Sequence, residues 1–224
     1  MTGMLASVCN IDEVQLILQT SVDIIDLKNP KQGALGALPV ELVSEIVHLI
    51  NKQKPVSATV GDLPMQAELV FNAVSAMANT GVDYIKIGFF PEGDWQATLD
   101  KLSQITEQGQ QLIAVLFADT KLDFNIIQSI KAAGFSGVMI DTIDKSKGSL
   151  LDIMSTPTIE KFVTASKSAQ LLCGLAGSLK QTDIASLLPL NADYLGFRGA
   201  LCQQHNRTTQ IDKQAVDAIQ NSFL

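Results

Sequence analysis

Three lysines lie at or just after the ends of apolar, strand-like runs. Lys28 ends one run, Lys86 lies near the end of another, and Lys145 follows a third. Burying an unpaired ammonium is costly, so these lysines indicate a functional site rather than plain core packing. Cations that converge lower one another's pKa, and a neutral lysine amine attacks carbonyl carbons. The pattern therefore predicts amine chemistry on a carbonyl compound.

The residues around two of these lysines suggest how they are used. Asp26 lies two residues before Lys28, so both side chains project from one face of a strand. A structural ion pair between them is the alternative, because buried charges are often paired. Lys86 shares its face with Gly88, which predicts room for a substrate. A lysine that extends to solvent from a strand end would give the same pattern.

Two glycine-bearing turns near the end of the chain predict a phosphate site. They follow the last two strand-like runs and contain Gly177 with Ser178, and Arg198 with Gly199. Glycines let backbone N–H groups approach phosphate oxygens, and Arg198 could add a bidentate contact. Tight turns also need glycine for conformational reasons alone. Together with the lysines, the turns favour a phosphorylated carbonyl substrate.

Strand-like runs alternate with helical patterns along the whole chain. The predicted strands are Leu5–Cys9, Asp23–Lys28, Val56–Val60, Tyr84–Phe89, Leu112–Ala118, Gly137–Asp141, Leu171–Ala176 and Tyr194–Arg198. The predicted helices are Ile11–Gln19, Val40–Lys52, Gln66–Asn79, Trp95–Glu107, Phe124–Ala133, Thr158–Ser168, Gln181–Leu187 and Lys213–Phe223. The strands are uninterrupted apolar runs, as expected for strands covered on both faces. About eight units with no linker predict an α/β fold, a single (β/α)8 TIM barrel over residues 1–224.

A barrel of this kind carries its functional groups at the C-terminal ends of its strands. Those ends carry a ring of polar residues: Asp26, Lys28, Thr59, Asp62, Lys86, Asp119, Asp141, Lys145, Ser178 and Arg198. An open doubly wound sheet is the alternative fold. The absence of Gly-x-Gly-x-x-Gly after the first strand disfavours its dinucleotide-binding form.

Composition and charge exclude several classes of protein. A formal net charge of −7 argues against a nucleic-acid-binding surface. No apolar run approaches the roughly 18 residues that span a bilayer, and the first residues lack the basic segment of a secretion signal. Three widely spaced cysteines predict reduced thiols in a cytoplasmic protein. No spacing of metal ligands is present, so we expect neither a metal nor another cofactor. The oligomeric state stays open, a homo-oligomer included.

Several segments resemble the (5-formylfuran-3-yl)methyl phosphate synthase family of methanofuran biosynthesis, also called 4-(hydroxymethyl)-2-furancarboxaldehyde-phosphate synthases. The matching segments are Asp-Ile-Ile-Asp-Leu-Lys-Asn-Pro-Lys (23–31), Val-Ser-Ala-Thr-Val-Gly-Asp (56–62), Asp-Tyr-Ile-Lys-Ile-Gly (83–88), Phe-Ala-Asp (117–119), Asp-Thr-Ile-Asp-Lys (141–145), Leu-Ala-Gly-Ser-Leu (175–179) and Gly-Phe-Arg-Gly-Ala-Leu-Cys (196–202). They cover nearly the whole chain in the same order.

The resemblance implies a lyase that condenses two molecules of glyceraldehyde 3-phosphate into a phosphorylated furaldehyde, with loss of phosphate and water. Lys28 matches the family's Schiff-base lysine. Lys86 and Lys145 match its other functional lysines. Asp26 and Asp141 match its acidic partners. Two alternatives stay open: another Schiff-base aldolase acting on a different phosphosugar, and a catalytically silent barrel that binds a phosphometabolite.

Overall fold

The computed structural model describes residues 1–223, whose eight parallel strands close into a barrel. The strands are β1 (Gly3–Val8), β2 (Ile24–Leu27), β3 (Val56–Thr59), β4 (Tyr84–Gly88), β5 (Gln111–Phe117), β6 (Gly137–Asp141), β7 (Leu172–Leu175) and β8 (Tyr194–Phe197). Each strand pairs with the next along the chain, and β8 pairs with β1. This closure confirms the TIM-barrel prediction and excludes the open sheet.

The helices follow the strands around the outside of the barrel. They are α1 (Ile11–Leu18), α2 (Val40–Ile50), α3 (Ala67–Ala78), α4 (Trp95–Thr106), α5 (Ile126–Ala132), α6 (Leu150–Ile153), α7 (Thr156–Ser168), α8 (Ile184–Leu187) and α9 (Lys213–Asn221). Within residues 1–223, no helix combines the length and the apolar character that a membrane crossing requires.

One local difference from the sequence prediction lies between β6 and α7. The extra helix α6 has only four residues and follows Ser149, whose backbone N–H donates to the Asp152 carboxylate at 2.8 Å. A helix of four residues is too short to show a 3.6-residue periodicity. The periodicity that predicts the longer helices therefore does not predict this one. The predicted helix Gln181–Leu187 is divided in the structure into a 3-10 turn and α8.

Two apolar layers stabilise the barrel. The larger lies between strands and helices and includes Ile17, Ile46 and Val74 from the inner helix faces. The smaller fills the barrel interior and includes Leu5 and Phe117. Each such side chain contributes about 1.5–3 kcal/mol when fully buried.

The interior changes from apolar to polar toward the C-terminal ends of the strands. Along the inward face of β1, Leu5 is followed by Ser7, which is buried. Along β2, Ile24 is followed by Asp26, and Lys28 comes directly after the strand. The apolar layer therefore fills the lower part of the barrel interior, and the charged residues lie above it, at the C-terminal ends of the strands.

Candidate active site

A cavity of about 740 Å³ opens at the C-terminal ends of the strands. The predicted site residues that line it are Lys28, Lys86, Asp141, Lys145, Gly177, Ser178, Arg198 and Gly199. Asp26 lies beneath the cavity and is completely buried. The structure thus brings the three lysines to one pocket at one end of the barrel.

The first charged unit is the pair of Asp26 and Lys86. The Lys86 Nζ lies 2.9 Å from the Asp26 Oδ1. Strand register places Ser7 and Ser57 on either side of Asp26. Each hydroxyl donates to one Asp26 carboxylate oxygen, at 2.7 Å. Burial alone would raise the pKa of Asp26, but Lys86 and Lys28 hold it below its usual value.

The second charged unit consists of Asp141 between two lysines. Its Oδ2 lies 3.4 Å from the Lys28 Nζ, and its Oδ1 accepts a hydrogen bond from Lys145. The backbone N–H of Thr142 also donates to Oδ1, at 2.8 Å. Burial would raise the pKa of Asp141, but Lys145 and Lys28 hold it well below its usual range. Asp141 is therefore a carboxylate shared by two ammonium groups.

Lys28 carries an amine whose pKa is lowered by its surroundings. Burial lowers its pKa to about 8, with Asp141 opposing the shift and Lys145 and Lys86 adding to it. Its only carboxylate contact within residues 1–223 is the 3.4 Å contact to a group already bonded to Lys145. A substantial fraction of this amine is therefore neutral near physiological pH, as a nucleophilic amine requires.

The structure excludes one alternative and corrects one expectation. Asp26 does not pair with Lys28, because Lys86 reaches it across β3 and Lys28 turns to Asp141. Gly88 does not leave room for a substrate. A Cβ there would lie 2.6 Å from the ring of Phe90, which already fills the space.

The turn after β7, where the sequence predicts a phosphate site, contains two residues with positive φ. Gly177 has φ of +111° and Ser178 has φ of +47°. A Cβ on Gly177 would lie 2.9 Å from the Thr142 side chain, so only glycine fits without a shift. Within residues 1–223, the N–H groups of Gly177 and Ser178 donate to no protein acceptor. Both residues line the cavity, as does the 3-10 turn that begins at Gly199 after the neighbouring strand β8.

Arg198 lines the cavity, but its guanidinium is engaged with the protein. Both terminal nitrogens donate to the carboxylate of Glu13, at 2.6 and 3.0 Å, and both groups are buried. One of them also donates to the Ser7 carbonyl oxygen, at 3.1 Å. A phosphate would have to displace Glu13 to take the predicted bidentate contact, so that role of Arg198 stays a prediction.

Three further strand-end residues support loops. Thr59 donates to the carbonyl oxygen of Gly36 at 2.9 Å. The Asp62 carboxylate accepts from two backbone N–H groups of the loop after β2, at 2.7 and 2.6 Å. Asp119 does the same for the loop that carries Lys145, at 2.8 Å for both contacts. These residues fix the loops that present the lysines.

Several residues that shape the site were not selected from the sequence. Ser7 is the one hydroxyl residue of β1, and Ser57 shares its face of β3 with Thr59; polar residues at these positions of buried strands are a usable signal. Glu13 lies in an ordinary amphipathic helix, which carries no such signal. Arg207 lies in a polar loop and lines the cavity.

The fold and the site define a class: a TIM barrel with a lysine–carboxylate cluster beside glycine-containing turns. A family model described as 4-HFC-P synthase matches residues 4–220 of this chain. The chain belongs to the 4-HFC-P synthase family.

Individual relatives agree with this assignment. A (5-formylfuran-3-yl)methyl phosphate synthase from Methanococcus aeolicus is 32% identical over 228 residues, covering 96% of this chain and 97% of the relative. A Methylorubrum extorquens protein, to which the same name is provisionally given, is 38% identical over 221 residues, covering 96% and 91%. Among solved structures, 3-hexulose-6-phosphate synthase from Salmonella typhimurium superimposes with a TM-score of 0.68 at 12% identity, covering 99% of this chain and 100% of the other. That likeness concerns the fold alone.

Proposed function

We propose that this protein condenses two molecules of glyceraldehyde 3-phosphate into (5-formylfuran-3-yl)methyl phosphate, through an imine on Lys28. Atoms balance when one phosphate and two water molecules leave. The observation that carries the proposal is a buried lysine of pKa about 8 in a cavity with two other lysines. Membership of the family supports the product. We place the reaction in methanofuran biosynthesis, in the cytoplasm.

The first step is attack of the neutral Lys28 amine on a triose carbonyl. Loss of water from the adduct gives an iminium, which acidifies the adjacent carbon. Asp141 lines the cavity beside Lys28, whereas Asp26 is fully buried and does not line it. Access to the cavity therefore favours Asp141 over Asp26 as the group that accepts the proton from carbon.

The resulting enamine attacks the aldehyde of the second triose phosphate and forms the carbon–carbon bond. Elimination of phosphate, ring closure and dehydration then give the furan. Lys145 shares Asp141 with Lys28 and is partly exposed to the cavity, so it can protonate a leaving oxygen. Lys86 keeps a carboxylate of its own and supplies a fixed positive charge.

The product assay separates this proposal from its two alternatives. We expect incubation with glyceraldehyde 3-phosphate to produce furan absorbance together with one phosphate per furan. Another Schiff-base aldolase would stop at the aldol product, with an imine but no phosphate release. A silent binding barrel would give neither furan nor a borohydride-trapped adduct. Unphosphorylated glyceraldehyde is the matched control, and an absent furan signal from the phosphorylated substrate would rule the proposal out.

The pH dependence of imine formation should report the pKa of Lys28. Because only the neutral amine attacks, we expect trapping by cyanoborohydride to increase with pH and to show an inflection near pH 8. Lys145→Met removes a cation and frees Asp141 to pair with Lys28 alone. Both changes raise the pKa of Lys28, so the inflection should move to higher pH, with trapping roughly threefold slower below pH 8.

A neighbouring lysine provides the control for that shift. Lys147 lies in the same 3-10 turn as Lys145 but is exposed and does not line the cavity. Lys147→Met therefore removes the same formal charge and should leave the inflection in place. An inflection that stays unchanged in Lys145→Met would contradict the electrostatic account of Lys28.

A further inference from the structure

Arg207 lies in the loop between β8 and α9 and lines the same cavity as the lysines. Its Nη2 donates to the carbonyl oxygen of Gly33 at 3.0 Å, in the loop that follows Lys28. Within residues 1–223, no carboxylate lies within 4.0 Å of its guanidinium. Arg207 is therefore a cation at the cavity wall that uses a neutral backbone contact and leaves other N–H groups for a ligand.

The position of Arg207 is fixed by its neighbours. The Nε of Arg198 donates to the Arg207 carbonyl oxygen at 2.9 Å, and its Nη2 donates to the Thr209 carbonyl oxygen at 3.0 Å. Arg198 is itself held by Glu13. The Arg207 side chain also lies close to Gly199, because a Cβ built on Gly199 would be 3.9 Å from the Arg207 Cβ. The buried pair thus anchors the loop, and Arg207 extends from the end of β8 toward the end of β2.

The electrostatic setting of Arg207 favours an anionic ligand. Burial lowers its pKa, and Arg198 lowers it further, while Asp141 opposes both effects. A partly buried guanidinium without a carboxylate partner gains most from a ligand that brings negative charge. Its planar fork matches two oxygens of a phosphate group.

The proposed reaction takes two phosphorylated trioses, so it needs two anion sites. The free N–H groups of Gly177 and Ser178 provide one of them, on the β7 side. We infer that Arg207 binds the phosphate of the other triose phosphate, in a second subsite between the β8–α9 loop and Gly33. This inference rests on the proposed function for its ligand, a phosphate monoester. Arg198 is then a positioning residue that acts through Arg207.

Glycerol 3-phosphate is the probe for this subsite, because it carries the phosphate but no carbonyl and forms no imine. By calorimetry we expect the wild-type protein to bind it and not to bind glycerol. Arg207→Gln should bind it at least about tenfold more weakly at one site, and Arg207→Lys should recover only part of the loss, since an ammonium lacks the fork. Lys131→Gln is the matched control, since Lys131 is exposed on α5 and lies outside the cavity.

Three outcomes would overturn the inference. The first is unchanged binding of glycerol 3-phosphate by Arg207→Gln, and the second is absence of binding by the wild type. The third is loss of inorganic phosphate binding by Arg207→Gln while glycerol 3-phosphate still binds. The last would assign the site to the released phosphate. A merely structural role for Arg207 would also reduce trapping of unphosphorylated glyceraldehyde on Lys28, which we expect to be unchanged. Normal binding of the probe without furan formation would contradict the proposed function and leave this inference standing.

Discussion

Lys28→Arg is expected to abolish turnover while leaving the barrel folded. Arginine keeps the positive charge next to Asp141, but its guanidinium stays protonated and forms no imine with a carbonyl. Loss of a covalent nucleophile removes every step that follows, so we expect kcat/KM to fall at least ~10⁴-fold. Asp141 keeps its contact with Lys145 in this variant, so no buried carboxylate loses all its partners. The initial rate of furan formation over a range of substrate concentrations is the measurement.

Mass spectrometry after borohydride treatment completes this test. The wild-type protein should gain the mass of one reduced triose phosphate on the peptide that contains Lys28, and Lys28→Arg should gain none. Lys131→Arg, on the exposed face of α5, is the matched control and should retain full activity. Substantial activity in Lys28→Arg, or an adduct on Lys86 instead, would assign the chemistry to another amine.

The three lysines differ in how they contact the two buried carboxylates, and this difference supports different proposed roles. Within residues 1–223, Asp26 forms its one salt bridge with Lys86, and two serine hydroxyls stabilise its charged form. Lys28 and Lys145 share Asp141, and Lys28 has the longer contact. Because this carboxylate contact is long and shared, it offsets only part of the lowering of the Lys28 pKa by burial. This difference supports the proposal that Lys28 is the nucleophile.

The barrel and the convergence of the lysines could be predicted because both follow from periodicity. Eight buried strand patterns with intervening helices have few other closed arrangements, and strand-end polar residues must then meet at one rim. The pairing could not be predicted in the same way. Asp26 and Lys28 share a face but lie roughly 7 Å apart along the strand. The register across β2, β3 and β4 decides that Lys86 is the closer cation.

Loop contacts set a second limit on sequence reasoning. Arg198, Asp62 and Asp119 have the residue types of ligand-binding groups, yet each is engaged with the protein's own loops or with Glu13. A strand-end position tells which rim a side chain occupies. It does not tell whether the side chain turns inward to substrate or outward to a loop amide. That choice depends on the loop path, which has no periodic signature.

Lys86→Met is expected to be the most destabilising single change at this site. It leaves the Asp26 carboxylate completely buried without its cation, and breaking a buried ion pair in this way costs about 3–5 kcal/mol of unfolding free energy. The double variant Asp26→Asn/Lys86→Met removes both charges. The asparagine side chain can still hydrogen-bond to Ser7 or Ser57, so we expect the double variant to recover about 2 kcal/mol or more. Urea unfolding of the single and double variants measures both quantities.

An exposed pair on α9 shows what the same substitution does without burial. Lys213 contacts Asp217 at 2.8 Å, and both side chains are about half exposed. Lys213→Met should therefore change the unfolding free energy by less than about 0.5 kcal/mol. If Lys86→Met were equally mild, or if the double variant were less stable than the single one, Asp26 would not depend on Lys86 for its charge. The fixed positive charge that we assign to Lys86 would then lose its structural basis.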